Sequence, residues 1–479
     1  MKKATIVLSV IMTFCSCKKF LDLRPEYQIP TENFYSSAGD FETALVGVYG
    51  TFRGLFSSSA ILYIGELTTD NAEIQWSSPS VSEMQMDQNN VNATNTYISA
   101  VWNTCLTTIS RCNTILNRID KIDFDANQKN RIKGETLFLR SFSYFYMVRI
   151  FGNVPVTDLE FSSPEGIMSA DLALKPAATV YEKIVADLKN AETLLPAALN
   201  TDKTHASQAT VKTLLGKVYL TQHDYDNAAA KLKEVIDSKQ YGPLNTSYKN
   251  LFSAGNNNLP ESILEIEYVS GKTMGNNYSY LFTPAITSMA IFQNNQQGAG
   301  RIVPTLDMMK SYEPNDVRKA ASVNDSVQLI NGSKTYNRYG LKFVDFKASD
   351  VTDGSVTFFV LRYADVLLMY AEALNESNHT DDAFPYINLV RERAGLSDLS
   401  GLSQDDLRLA LEKERRVEFL DEGHRWFDLL RTGRLQTVMN GYYTALNQTF
   451  RVEDFELIFP IPQNEIDLNP KVIKQNDGY

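Results

Sequence analysis

Apolar residues recur at i, i+3, i+4, i+7 and i+8 through Val211, Leu214, Leu215, Val218 and Tyr219, the spacing of one helix face. The pattern stops at His223-Asp224 and restarts with Tyr225, Ala228, Ala229, Leu232, Val235 and Ile236. Two helices joined by so short a turn lie antiparallel, and Gly216 and Ala228 are small enough to let them approach closely. The stretch from Val211 to Ile236 therefore predicts a tetratricopeptide-type helical hairpin. The same periodicity predicts helices from Val180 to Leu195 and from Trp102 to Ile122, the latter with Leu106, Ile109, Cys112, Asn113 and Leu116 on one side. A second hairpin is expected from Tyr363 to Gly395, with the start of its second helix left open by Pro385.

A further helix is expected from Leu411 to Arg434, LEKERRVEFLDEGHRWFDLLRTGR. Leu411, Phe419, Trp426, Phe427, Leu429 and Leu430 give it apolar faces. Glu422, Arg425, Asp428 and Arg431 recur every three residues, close enough on one helix for successive ion pairs. Since each carboxylate has an arginine within helical reach, Glu422 and Asp428 are assigned to a salt-bridge network and not to acid/base chemistry.

Two long stretches lack the helical pattern. Ile74 to Val101 contains only Glu83 and Asp87 as charged groups and is otherwise rich in Ser, Asn, Gln and Thr, with Trp76 and Tyr97. Val269 to Gly300 has a single charge, Lys272, among Tyr278, Tyr280, Phe282, Phe292, Asn294, Asn295, Gln296 and Gln297. Both read as loop insertions on a helical scaffold. Stacked hairpins leave grooves, so such a scaffold presents a binding surface more readily than a closed reaction chamber.

Composition changes this picture at the N-terminus. Lys2 and Lys3 precede an apolar run from Ala4 to Phe14 and then Cys15-Ser16-Cys17, the layout of a secretion signal ending at a lipidated cysteine. Residues 1–16 are expected to be removed and Cys17, which follows the small Ser16, to carry the lipid. The apolar run is too short to span a bilayer permanently. The chain carries 46 Lys and Arg against 57 Asp and Glu, a formal charge of −11, which argues against nucleic acid as a partner. Cys105 and Cys112 lie seven residues apart on one predicted helix, about 10 Å between Cα atoms, beyond disulfide reach; packed core thiols are expected. With no clean linker, residues 17–479 are read as a single domain, an N-terminal helical part over about 17–250 followed by a C-terminal part over about 260–479.

Enzyme signatures are weak. The four histidines, at 205, 223, 379 and 424, have no metal-ligand spacing, and no GxSxG elbow occurs. Gly271-Lys272-Thr273 fails as a phosphate loop because Ile266 stands where a glycine is needed. A glycoside hydrolase, which needs only two opposed carboxylates, is unsupported but remains open. Neutral sugars instead ask for flat rings and amides, because they offer an apolar C–H face and a rim of hydroxyls. The two insertions have that chemistry. Trp76 and Tyr278, with Tyr280 and Phe292, are the expected aromatic platform, supported by Asp70, Asn71 and Asn294.

Six segments carry a resemblance to a known family: CKKFLDLRP after the leader, GETLFLRSFSYFYMVRIFGNVPV, LRYADVLLMYAEALNE, INLVRERAGL, ERRVEFLDEGHRWFDLLR and FPIPQNEIDLNP, in that order from residue 17 to 470. The chain resembles the SusD/RagB family of outer-membrane lipoproteins. That resemblance implies a mainly α fold with tetratricopeptide-like hairpins, long loop insertions and minor β structure. It implies a surface-exposed, lipid-anchored protein that captures an oligosaccharide without catalysis and delivers it to a SusC-like TonB-dependent transporter; a peptide-binding, RagB-like lid is the alternative. The family's binding loops carry no motif, so no ligand residue transfers. Some members hold calcium, but no DxDxDG loop is present here, and neither metal nor cofactor is assigned.

Overall fold

The computed structural model describes residues 34–75, 78–161, 171–245, 247–271, 274–285, 288–292, 296–329 and 331–479. Cys17 and the leader lie outside them. Helices α1 (Ala38–Ser57), α2 (Thr96–Arg118), α3 (Ala126–Phe151), α4 (Ala177–Leu194), α5 (Gln208–Thr221) and α6 (Tyr225–Asp237) form the first half. They continue into α7 (Tyr363–Glu376), α8 (Thr380–Arg393), α9 (Gln404–Glu418), α10 (Arg425–Arg431) and α11 (Leu435–Ala445). Successive helices pack pairwise from α1 to α8, and α6 bridges the halves by packing on α7. The expectation of a mainly α scaffold with minor β structure is met: the short antiparallel pairs are β1 (Ala72–Glu73) with β3 (Val303–Pro304), β2 (Ser262–Ile266) with β6 (Phe358–Arg362), β4 (Val323–Gln328) with β5 (Lys334–Gly340), and Val154–Pro155 with Leu174–Lys175.

The hairpin α5–α6 follows its periodicity. Ser207 and Asp224 cap the two helices through Thr210 and Asn227 N–H groups, and the turn between them puts His223 at φ 60°. A Cβ at Gly216 would lie 2.6 Å from Leu232 Cγ, so glycine is what lets the helices touch. In the second hairpin, α8 begins at Thr380, five residues ahead of Pro385, and runs through it; burial of Phe384, Ile387 and Val390 outweighs the one main-chain bond the ring removes.

Helix α3 is buried on every side from Gly134 to Phe151, as the central helix of such a stack must be. Its buried charged residues are engaged, whereas Ser141 Oγ has no hydrogen-bond partner among the described residues. Arg140 holds Asp187 at 2.8 and 2.9 Å and Asn113 at 2.7 Å, and Glu135 accepts from Tyr49 Oη at 2.7 Å. Arg149 sits 3.8 and 4.1 Å from the Phe145 and Phe427 ring centres, and burial lowers its pKa to about 10. Cys105 and Cys112 are free, buried thiols.

The segment from Leu411 to Arg434 departs from expectation. It is not one helix: α9 ends at Glu418, Asp421 (φ 66°) and Gly423 (φ 77°) turn the chain, and α10 begins at Arg425. The charges explain the break. Lys342 Nζ donates to the carbonyls of Glu418 and Leu420 at 2.8 Å each and to Glu422 Oε1 at 2.7 Å, satisfying the end of α9 with a cation from outside it. Glu418 faces Arg318 (3.0 Å), Arg362 (2.6 Å) and Arg393; Glu422 faces Arg362 at 2.8 Å. Of the expected i,i+3 ladder only Asp428–Arg431 forms, at 2.9 Å. Arg425 instead reaches Asp70 at 2.8 Å, and Asp428 pairs with Arg415 at 2.9 Å. Glu422 and Asp428 are thus network members, held below the usual carboxylate range by Arg362 and Arg415 respectively, in spite of burial.

A segment far away in sequence closes on this turn. The π turn Tyr63–Leu67 presses Gly65 onto Gly423, where a Cβ would lie 2.4 Å from the Gly423 carbonyl oxygen. Glu66, fully buried, accepts from Gly423 N–H at 2.7 Å and Asn71 Nδ2 at 2.9 Å, yet burial raises its pKa to about 7. Asp421 is buried with neither carboxylate oxygen bonded, and burial, with the Glu66 and Glu422 charges, raises its pKa well above the usual range.

Removing Glu418 leaves three buried guanidinium groups short of a partner, so Glu418→Ala is expected to cost about 3–5 kcal/mol in urea unfolding. Arg408→Ala, which breaks the partly buried surface pair with Glu376, is expected to cost about 0.5 kcal/mol. A raised carboxyl pKa means the unfolded chain ionises first. The unfolding free energy of the natural protein relative to Glu66→Gln should therefore fall by an order of 3 kcal/mol between pH 4.5 and about 7, and change no further above it. Parallel denaturation curves of the two proteins across that range check this.

Candidate functional site

The two polar stretches fold against the framework and meet each other. In the first, Ser80 and Glu83 cap a short helix, Val81–Asp87, through a reciprocal pair: Glu83 N–H donates to Ser80 Oγ at 3.2 Å and Ser80 N–H to Glu83 Oε2 at 2.7 Å. Asn95 caps α2 by accepting from Tyr97 N–H at 2.9 Å and donates to Gln85 at 2.9 Å, fixing where the Tyr97 ring stands. The second stretch contains the short helices Tyr278–Phe282 and Ser288–Phe292. Its end folds back on its start: Ala299 N–H donates to Tyr280 O and Gly300 N–H to Thr283 O, both at 2.7 Å, and Arg301 N–H to Leu281 O at 2.9 Å. This clasp requires glycine at 298, where a Cβ would sit 2.1 Å from Thr283 Oγ1 and 2.3 Å from Thr283 O.

Between the stretches runs a seam. Gln75 N–H donates to Gly300 O at 2.8 Å, and β1 pairs with β3 just beyond. Arg301 forms an ion pair with Glu83, and its guanidinium lies 6.0 Å from the Tyr280 ring centre. Tyr97 stacks on Tyr63 with centroids 4.0 Å apart, and both hydroxyls donate to Glu83 Oε1, at 3.3 and 3.0 Å. Burial raises the Tyr97 phenol to a pKa of about 12 and would also raise Glu83, but the Ser80 N–H and the Arg301 charge outweigh it and hold Glu83 below the usual carboxylate range. Tyr97 and Tyr280 are half-buried, so neither is sealed into the core. The seam thus offers two aromatic surfaces around a mutually neutralised acid–base pair, with hydrogen-bonding groups but little net charge.

Of the expected platform, Tyr280 alone among the described residues lies at this seam. Tyr278 is fully buried: its ring packs on Phe343 and Phe358, and its hydroxyl bonds Phe56 O and Tyr268 Oη at 3.2 Å each. Phe292 is buried against Phe346. Asp70 is a buried partner of Arg425 and Arg416, and Asn71 bridges Glu66 and Arg416. These four hold the framework and have no face for a ligand. Trp76 and Asn294 lie outside the described residues. Tyr97, Glu83 and Arg301 join Tyr280 at the seam. Tyr97 is legible as an aromatic in a polar stretch, whereas the chemistry of a neutral ligand gives no signal for the charged pair.

Comparison with known proteins follows the same outline. A family model described as "SusD family" matches residues 315–479, and one described as "Starch-binding associating with outer membrane" matches residues 19–220. SusD-like protein P2 of Formosa agariphila is 27% identical, with 100% of both chains covered, and a SusD-like protein of Bacteroides ovatus is 25% identical over 98% of this chain and 96% of its own. Among solved structures, a laminarin binding SusD-like protein is 27% identical with TM-score 0.79, covering 93% of this chain and 100% of that one. A SusD superfamily protein from Bacteroides vulgatus, 23% identical with TM-score 0.79, shares the fold over the same fractions.

Proposed function

This chain belongs to the SusD/RagB family, and from that premise we propose that it is a non-catalytic receptor that captures an oligosaccharide at the seam between its two polar stretches. The observation that carries the reading is the pairing of Tyr97 and Tyr280 about the Glu83–Arg301 ion pair. A pyranose stacks its C–H face on such a ring, and the neighbouring carboxylate and guanidinium take up its hydroxyls. Because each tyrosine has only two torsions to freeze, and Tyr97 is already fixed by Tyr63, ordering on binding costs little. The laminarin-binding relative supports a saccharide as the ligand.

The same chemistry supports binding without turnover. Glu83 is paired with Arg301, and Glu422 and Asp428 are tied into the interior network, so none of them is poised to donate a proton. Cys17 is proposed as the lipidated residue that holds the protein on the outer membrane, in keeping with the description of the N-terminal family model. Confinement to that surface raises the effective concentration at a SusC-like importer, the proposed partner, so modest affinity suffices for delivery.

Calorimetric titration of residues 18–479 with a β-1,3-glucan hexasaccharide tests the reading. The natural protein is expected to bind, and Tyr280→Ala to weaken binding about tenfold or more, roughly 1.4 kcal/mol, with its thermal unfolding unchanged. Undiminished affinity in a folded Tyr280→Ala protein would overturn the site. Release of reducing ends from the glucan would overturn the non-catalytic assignment.

A further inference from the structure

On the other flank of the second polar stretch lies a cleft of about 260 Å³, near the lower end of the roughly 300–1,000 Å³ typical of small-ligand sites. Its floor is apolar, with Phe252, Ala321 and Val344, all buried. Phe346 stands at its edge with 51% of its surface exposed, steadied by Phe292, whose ring centre is 6.4 Å away. Lys249 and Lys347, both exposed, line it too, together with the buried Lys342 and Asp345.

These lysines are unlike the cations of the interior. Among the described residues no carboxylate lies within 4.0 Å of either ammonium, and neither donates a hydrogen bond. Asp345, the acid nearest to Lys347 in sequence, is turned inward: one carboxylate oxygen accepts from the Ser355 N–H and hydroxyl at 2.9 and 2.7 Å, the other from the Lys347 backbone N–H at 2.9 Å. The cleft therefore keeps two unneutralised positive charges in a chain whose formal charge is −11. An exposed aromatic face beside two free ammonium groups suits a sugar ring that itself carries an anionic group.

We propose that this cleft is a second saccharide subsite, selective for sugars bearing a carboxylate or a sulfate ester, with Phe346 stacking on the ring and Lys249 and Lys347 facing the anion. The proposal rests on the saccharide-binding reading above and adds a charge preference that the seam does not supply. Lysine suits the role as a mobile point charge, and its exposure makes the attraction sensitive to salt, with screening over about 8 Å at physiological ionic strength.

Titrating residues 18–479 with a polyuronate hexasaccharide, a sulfated galactan hexasaccharide and the neutral β-1,3-glucan hexasaccharide, at 50 and 300 mM NaCl, tests this. At least one anionic probe is expected to bind with an affinity that falls as salt rises. Lys249→Gln with Lys347→Gln should weaken it about tenfold while leaving the neutral glucan untouched. Phe346→Ala should weaken the anionic probe in the same way, and Tyr280→Ala should affect the neutral glucan only. Absence of binding by both anionic probes, or binding that survives the double lysine substitution, would overturn the subsite. Loss of glucan binding alone would count against the seam and leave the cleft standing.

Discussion

A carboxylate taken out of water must find cations, and in this protein that requirement organises the interior. Glu418 draws Arg318, Arg362 and Arg393 onto one fully buried group, from positions 100, 56 and 25 residues away. Asp70 draws Arg425 across 355 residues. Each such bond is costly to form and costlier to leave half-made, so the network selects one arrangement of helices more than it adds to net stability. The break between α9 and α10 is its clearest product. The helix stops where Lys342 takes over its carbonyls, and the turn that results is the surface on which Gly65 and Glu66 close.

The candidate site is a by-product of that arrangement. β1 follows directly on Asp70 and Asn71, so anchoring those two side chains to Arg416 and Arg425 fixes where the first polar stretch leaves the framework. The second stretch is anchored from below by Tyr278, buried among Phe343 and Phe358. With both roots fixed, the Gln75–Gly300 bond and the Glu83–Arg301 pair bring the two surfaces edge to edge.

Local patterns in the chain are sufficient for the hairpins. The i, i+4 apolar spacing located the hairpins, and Gly216 announced the close contact with Leu232. Tertiary partners are what periodicity cannot contain. Glu422, Arg425 and Asp428 have the spacing of an intrahelical ladder, yet their partners are Lys342, Arg362, Asp70 and Arg415, which no local window includes. The candidate site is legible to the level of the two stretches and not to the residue. Low charge and many aromatics describe both a binding loop and its anchor, and only depth separates Tyr278 from Tyr280, two positions apart on one short helix.

The clasp at Gly298 carries a consequence for how such a surface can diversify. It is stitched by peptide groups, from Ala299, Gly300 and Arg301 back to Tyr280, Thr283 and Leu281, and peptide groups are indifferent to the side chain they bear. The ring at 280 is therefore a removable tool on a fixed handle. A lineage carrying this scaffold is free to exchange that ring, and with it the surface offered at the seam, while the peptide stitching that holds it stays the same.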